Sequence, residues 1–242
     1  MPGWCQNSNV IHYHLANRVP ASKTMIKPCL VWLAVFTCLA PAKLIGQDKP
    51  NDIGERLLAR PSIRAAVDAA ATFEAEVLAD QIDLCSIPAP PFGEHKRAEA
   101  YRARFEALGL ERTRIDSVGN VLGERAGQTD HPHLVFSAHL DTVFPEDVDV
   151  TVTRDGSILK GPGIGDDCRG LAVVLGVVRA LDRAAVRTWG RITFVGTVGE
   201  EGLGDLRGVK HLFNTELAGA VDRFVSVDGA GLGITNVAVG SN

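Results

Sequence analysis

The chemistry this sequence could perform rests on a few residues: His139, Asp141, the pair Asp166–Asp167, the pair Glu200–Glu201, and Asp228. One imidazole with several carboxylates is a donor set that suits zinc, or a similar ion such as manganese or cobalt. Carboxylates concentrated at one place repel each other unless something cationic holds them. A divalent metal is the simplest candidate. A carboxylate can bridge two such ions about 3.5–4 Å apart, an arrangement that activates water for hydrolysis. Asp141, two residues beyond His139, fits as the acceptor for the other ring N–H, which fixes the tautomer and raises the basicity of the imidazole. Glu200 and Glu201 are adjacent and cannot both point the same way. One can bind metal while the other takes a proton from the activated water.

These residues must be positioned by the elements around them. Leu134–Ala138 and Ile192–Val198 are apolar and β-branched and read as strands, as does Phe224–Val227. His139, Glu200 and Asp228 each follow one of them, while Asp166 and Asp167 end a glycine-rich loop before a helix over 170–185. Helices are expected over 63–84, over 94–108 with Gly109 at the C-cap, and over 209–214. Pro88, Pro90 and Pro91 make a loop between the first two. Shorter strands are expected at 114–116 and 120–122. A hairpin is expected around Asp155–Gly156, between strands at 148–153 and 157–159. The alternation predicts an α/β fold, a mostly parallel sheet flanked by helices. In open α/β sheets ligands bind outside the carboxyl ends of the strands, so four separate segments deliver their side chains to one rim.

Four ordered motifs carry a family resemblance: Ala138-His139-Leu140-Asp141-Thr142, Gly163-Ile164-Gly165-Asp166-Asp167, Gly199-Glu200-Glu201-Gly202 and Val227-Asp228-Gly229. In order and approximate spacing they resemble the co-catalytic zinc peptidases, the group that includes peptidase T, glutamate carboxypeptidase and acetylornithine deacetylase. The resemblance covers roughly residues 62–242, and the Ser86–Pro90 turn is similar to the family's early Ile-Pro loop. The ending at Asp228-Gly229 is closer to peptidase T than to the deacylases. The resemblance implies a zinc exopeptidase-like catalytic domain holding two zinc ions. His139 and Asp228 would bind one ion, Asp166 would bridge both, and Glu201 would bind the second. Glu200 would be the general base, and Asp141 would orient His139. It also implies short peptides or N-acyl amino acids as substrates, cleaved at a chain end.

The family carries a lid-like domain, often used for homodimer formation, after the Asp228 region, and a late histidine for the second metal. The chain reaches Asn242 about where a lid would start, and no histidine follows His211. The reading is therefore of an incomplete catalytic domain, with its N-terminal part at 47–232 and the start of the lid at 233–242. The second metal, left with Asp166 and Glu201, should bind weakly. Cys168-Arg169 also departs from the family pattern, and Cys168 reads as a small packed residue.

Of the 242 residues, 25 are Lys or Arg and 29 are Asp or Glu, for a net charge of −4, and 45% are hydrophobic. That balance argues against a disordered chain and against a nucleic-acid partner. Five cysteines do not make a disulfide scaffold. Cys29–Ala40 is an uncharged apolar run, too short to span a bilayer. Lys27 precedes it and Ala40-Pro41-Ala42 follows. Residues 25–46 read as a secretory signal peptide, with a membrane anchor as the alternative, and residues 1–24 as an upstream extension. The expected location is secreted or periplasmic, with no membrane association after signal removal. Taken singly, each motif has a plainer reading: a satisfied polar histidine, a solvated Glu pair, an Asp pair capping a helix. His133 and the other histidines outside the motifs read as structural, as do Arg169 and Arg207. Rival functions are weaker. Leu140-Asp141-Thr142 is faintly similar to an Asp-nucleophile phosphatase, but its nucleophile position holds His139. Neither Gly202-Leu203-Gly204 nor Gly229-Ala230-Gly231 continues into a dinucleotide loop. A non-catalytic binding module would not need Glu200.

Overall fold

A computed structural model describes residues 50–229. The signal reading at 25–46, the extension before it and the lid reading at 233–242 lie outside the described residues. Within them the chain runs α1 (Pro50–Leu58), α2 (Pro61–Ala70), α3 (Glu74–Cys85), α4 (His95–Ala107), β1 (Glu111–Ile115), β2 (Val121–Arg125), β3 (Leu134–His139), β4 (Thr153–Asp155), β5 (Ile158–Lys160), α5 (Cys168–Arg183), β6 (Ile192–Thr197), α6 (Arg207–His211) and β7 (Arg223–Ser226).

The main sheet has the order β1-β2-β6-β3-β7. Its centre is parallel: Leu134 pairs with Ile192 and His139 with Thr197 between β3 and β6, and Leu134 pairs with Arg223 between β3 and β7. β2 runs antiparallel to β6, and β1 antiparallel to β2. All six residues of β6 are buried, as expected of a parallel strand covered on both faces. Alternation sorts the side chains. Val121, Ala138 and Phe194 face a cluster with Tyr101 and Phe105 of α4, Leu84 of α3, and Leu171, Val174, Leu175 and Val178 of α5. Leu122, Val135 and Val195 face the other way, onto Leu212 and Leu217.

Local sequence explains most of these elements. The buried residues of α5 recur at helical spacing, and those of α4 (Ala98, Tyr101, Phe105) do the same, with Gly109 beyond its end at φ +72°. The helix expected over 63–84 is instead two, α2 and α3, separated by a 3₁₀ turn at Ala71–Phe73. Phe73 is buried there whereas α2 buries nothing, so packing of one aromatic ring overrides an uninterrupted helix-forming sequence. The strand expected at 148–153 forms only at Thr153, in the β4–β5 hairpin. The helix expected at 209–214 begins at Arg207 and continues as a π-helical turn through Glu216. Among the described residues no helix is long and apolar enough to cross a membrane.

Candidate metal centre

The parallel register of β3, β6 and β7 brings their carboxyl ends to one edge. His139 ends β3, Glu200 and Glu201 follow β6, and Asp228 follows β7. Asp166 enters from the loop before α5. His139 Nε2 lies 2.9 Å from Asp166 Oδ1 and 3.7 Å from Asp228 Oδ1. One ligand atom from each of His139, Asp166 and Asp228 falls within 4.8 Å of the others, and the same holds for His139, Glu200 and Glu201. The four carboxylates expected to bind metal or act as base thus gather about the His139 imidazole. Among the described residues, none of the four carboxylates pairs with a lysine or arginine.

The imidazole's protonation follows from its partners. Nδ1 lies 2.9 Å from the Asp141 main-chain carbonyl, which can only accept, so Nδ1 carries a hydrogen. Nε2 is left to face the carboxylates. Burial pulls the ring's pKa down, but contact with Asp141 and the charges of Asp167, Asp141 and Asp228 outweigh it and raise it to about 10. A divalent ion at Nε2 would displace a proton there and would itself supply the positive charge these carboxylates face. Burial, then neighbouring carboxylates, pushes the Glu200 and Glu201 carboxyls above the usual range. With Nδ1 committed to the Asp141 carbonyl, Nε2 and the carboxylate oxygens make a donor set that fits a zinc-type ion.

Asp141 is fully buried, but its role differs in detail from the expected one. Its carboxylate is 3.7 Å from Nδ1, farther than its own carbonyl. Both carboxylate oxygens instead accept main-chain N–H groups, Oδ1 from Glu200 at 3.0 Å and Oδ2 from Glu201 at 2.8 Å. Asp141 therefore fixes the glutamate pair as well as the imidazole. Burial raises its carboxyl, and His139 with the two N–H groups brings it below the ordinary value.

Three residues position the site in ways the sequence reading did not assign, although for Asp167 it did offer the helix cap. Asp167 caps α5: Oδ1 accepts the Gly170 N–H, and Oδ2 accepts the His139 N–H, each at 2.9 Å. A Cβ on Gly170 would meet Asp167 Oδ1 at 2.0 Å, so only glycine admits this cap. Burial raises the Asp167 carboxyl to about 8, against the pull of His139. Its place just before an apolar helix was the available sign. Arg97, fully buried, donates through Nη1 to the Leu140 carbonyl at 2.7 Å and through Nε to the Ile87 carbonyl at 3.1 Å. It ties the Ile-Pro loop to the residue between His139 and Asp141. Nothing local marks it, because it is one arginine in a charged helix. Arg207 pairs with buried Glu94, both oxygens at 2.7 Å, and stacks on Phe92. Its guanidinium fills the space beside Gly199 that a Cβ would need, so it backs the turn leading into Glu200.

A mixed α/β domain with carboxylates and one histidine at the carboxyl edge defines a class, and the comparisons give its relatives. Residues 135–240 match the model of peptidase family M20/M25/M40. The matched stretch holds all four motifs, from Ala138 to Gly229. Carboxypeptidase G2 of Pseudomonas sp. (strain RS-16) is 32% identical over 106 residues, 41% of this chain and 25% of that protein. The structure of a tripeptidase from Staphylococcus aureus superposes with a TM-score of 0.53 at 28% identity, covering 64% of this chain and 43% of that one. Aminopeptidase PepT from Bacillus cereus gives 0.55 at 23% identity, over 64% and 43%, a likeness of fold. This chain thus spans a quarter of the curated relative and less than half of these structures.

Proposed function

We propose that this protein takes part in metal-dependent hydrolysis of amide bonds in short peptides, as an exopeptidase of the di- and tripeptide aminopeptidase type. N-acyl amino acids are the alternative substrates within the same chemistry. The observation that carries the reading is the convergence of Asp166 and Asp228 on His139 Nε2, with Glu200 and Glu201 gathered about the same imidazole and, among the described residues, no lysine or arginine paired to any of the four.

His139, Asp166 and Asp228 would hold one divalent ion, and Asp166 with Glu201 the second. The ions, zinc or otherwise manganese or cobalt, supply Lewis acidity towards the scissile carbonyl and towards a water molecule. Glu200, its carboxyl raised by burial, takes a proton from that water and returns it to the leaving amine. Asp141 holds the Glu200 and Glu201 backbones and the His139 ring through the contacts given above, and Asp167 holds the His139 main chain. The second ion, with two ligands from this chain, binds more weakly than the first. By the same reading residues 25–46 direct secretion, 47–232 form the N-terminal part of a catalytic domain, and a lid beginning near 233 would carry a homodimer contact.

Zinc titration of the chain followed by assays on a dipeptide and N-acyl amino-acid panel tests this. One tight and one weak zinc equivalent are expected, with any hydrolysis abolished by Glu200→Gln while the tight equivalent remains. Failure to bind zinc, or hydrolysis unaffected by Glu200→Gln, overturns it.

A further inference from the structure

The stretch from Val198 to Glu201 carries the glutamate pair, yet it belongs to no strand or helix. Its main chain is held instead by side chains from elsewhere. Asp141 takes the Glu200 and Glu201 N–H groups. Asn120, fully buried just before β2, takes the Val198 N–H. Its Oδ1 accepts that N–H at 3.0 Å, and its Nδ2 donates to the Gly208 carbonyl at 3.0 Å and to Asp116 Oδ2 at 2.7 Å. An N–H can only donate and a carbonyl can only accept, so these partners fix which end of the amide is which. The Gly208 N–H donates back to the Val198 carbonyl at 3.0 Å, so both main-chain groups of Val198 are committed. A Cβ on Gly208 would meet Asn120 Oδ1 at 2.3 Å and the Val198 carbonyl oxygen at 2.5 Å, so only glycine admits this contact. Asp116 in turn anchors the turn that presents Asn120. Its Oδ1 accepts the Val118 N–H at 3.0 Å and the Gly119 and Asn120 N–H groups at 2.9 Å each.

We propose that Asn120 is a positioning residue for the Glu200–Glu201 turn and acts through the Val198 main chain. The inference rests on the peptidase reading, in which Glu200 is the base and Glu201 a metal ligand. The side-chain hydrogen bonds of Asn120 go to Val198, Gly208 and Asp116 and to none of the expected metal ligands. Asp141 serves the imidazole and the turn together, whereas Asn120 serves the turn alone. A base must sit within hydrogen-bond reach of the proton it takes, and a loosened supporting shell spoils that placement. The position calls for an amide, because one acceptor and two donors are used at once. Aspartate keeps the acceptor, loses both donors and sets a second carboxylate against Asp116. Serine is too short to reach all three partners. Either change leaves buried main-chain groups unpaired, and such groups are costly enough for the turn to open towards water.

Amide hydrogen exchange tests this by NMR on the metal-free full chain, with zinc titration in parallel. The wild-type chain is compared with Asn120→Asp and with the milder Asn120→Ser. In the wild-type chain the Val198 amide should be protected like those of β6. In the variants the Val198, Glu200 and Glu201 amides should exchange at least about tenfold faster, while the amides of β3 keep their rates. The tight zinc equivalent should hold within a few-fold, and the weak one, which uses Glu201, should weaken by roughly 10–100-fold. A merely structural role would instead lower protection everywhere and weaken both equivalents together. Rapid Val198 exchange in the wild-type chain overturns the proposal. So do unchanged exchange in the turn of a folded variant, a weak equivalent no weaker than before, and a uniform loss of protection in both variants. A wild-type chain that binds no zinc overturns the peptidase reading instead, and the exchange rates then decide alone whether Asn120 holds the turn.

Discussion

Two histidines bracket strand β3, and they are solved in opposite ways. His133 precedes it and is fully buried, and His139 ends it at 3% exposure. His133 Nδ1 lies 2.8 Å from the Ala220 carbonyl and so donates, and Nε2 accepts from the Thr193 hydroxyl at 2.8 Å. Burial, then Arg191 and His131, holds its pKa below the ordinary value against the Ala220 hydrogen bond and Glu124. His139 has equal burial but faces carboxylates, and its pKa is raised to about 10. The lesson is that burial does not distinguish a structural histidine from a candidate ligand. The character of the partners does: neutral groups that saturate both nitrogens in one case, carboxylates around one nitrogen in the other.

The sharpest way to break this contrast is zinc affinity. His139→Ala should weaken zinc binding beyond the roughly 10–100-fold that loss of a supporting group costs, while His133→Phe should leave it within a few-fold (about 1 kcal/mol or less by RT). Equal losses in isothermal titration would erase the distinction. Asp141→Asn should fall between, with roughly 10–100-fold weaker zinc, because it keeps the fold but gives up an acceptor for the Glu200 and Glu201 N–H groups.

Stability should show the reverse preference. His133→Phe strands the Ala220 carbonyl and the Thr193 hydroxyl and should cost about 1–3 kcal/mol in urea unfolding. The same histidine predicts a pH effect. Unfolded, it takes up a proton near its ordinary pKa of 6.5, whereas folded it resists. The unfolded state then binds more protons, so the contribution is present above that pH and is lost as the pH falls below it. The stability difference between the wild-type chain and His133→Phe should therefore narrow as the pH falls below 6.5. Asp222 at the same end accepts from His131 Nδ1 and from the His133 N–H. These contacts hold its carboxyl below the usual range. Its stabilisation is lost only at more acidic pH, so Asp222→Asn should give the smallest shift, in the same direction as His133→Phe.

Much of this architecture was legible residue by residue. The runs 134–138 and 192–198 are apolar because parallel strands are covered on both faces, and period-3.6 burial marks α4 and α5. Each of the five converging residues was locatable because it follows a strand or precedes a helix. The break at Phe73 was hidden, since no glycine or proline signals it and only the core the ring enters explains it. Arg97 and Asp167 were hidden for a related reason: their partners, Leu140 and His139, lie distant in sequence.

Local chemistry in the chain thus settled which residue types stand at strand and helix ends, since propensity, periodicity and capping act over a few neighbours. Only tertiary packing decided which of Asp141's oxygens serve the glutamates, which histidine turns a nitrogen to carboxylates, and which arginine is walled in. Those outcomes depend on distances between segments that sequence separation leaves open.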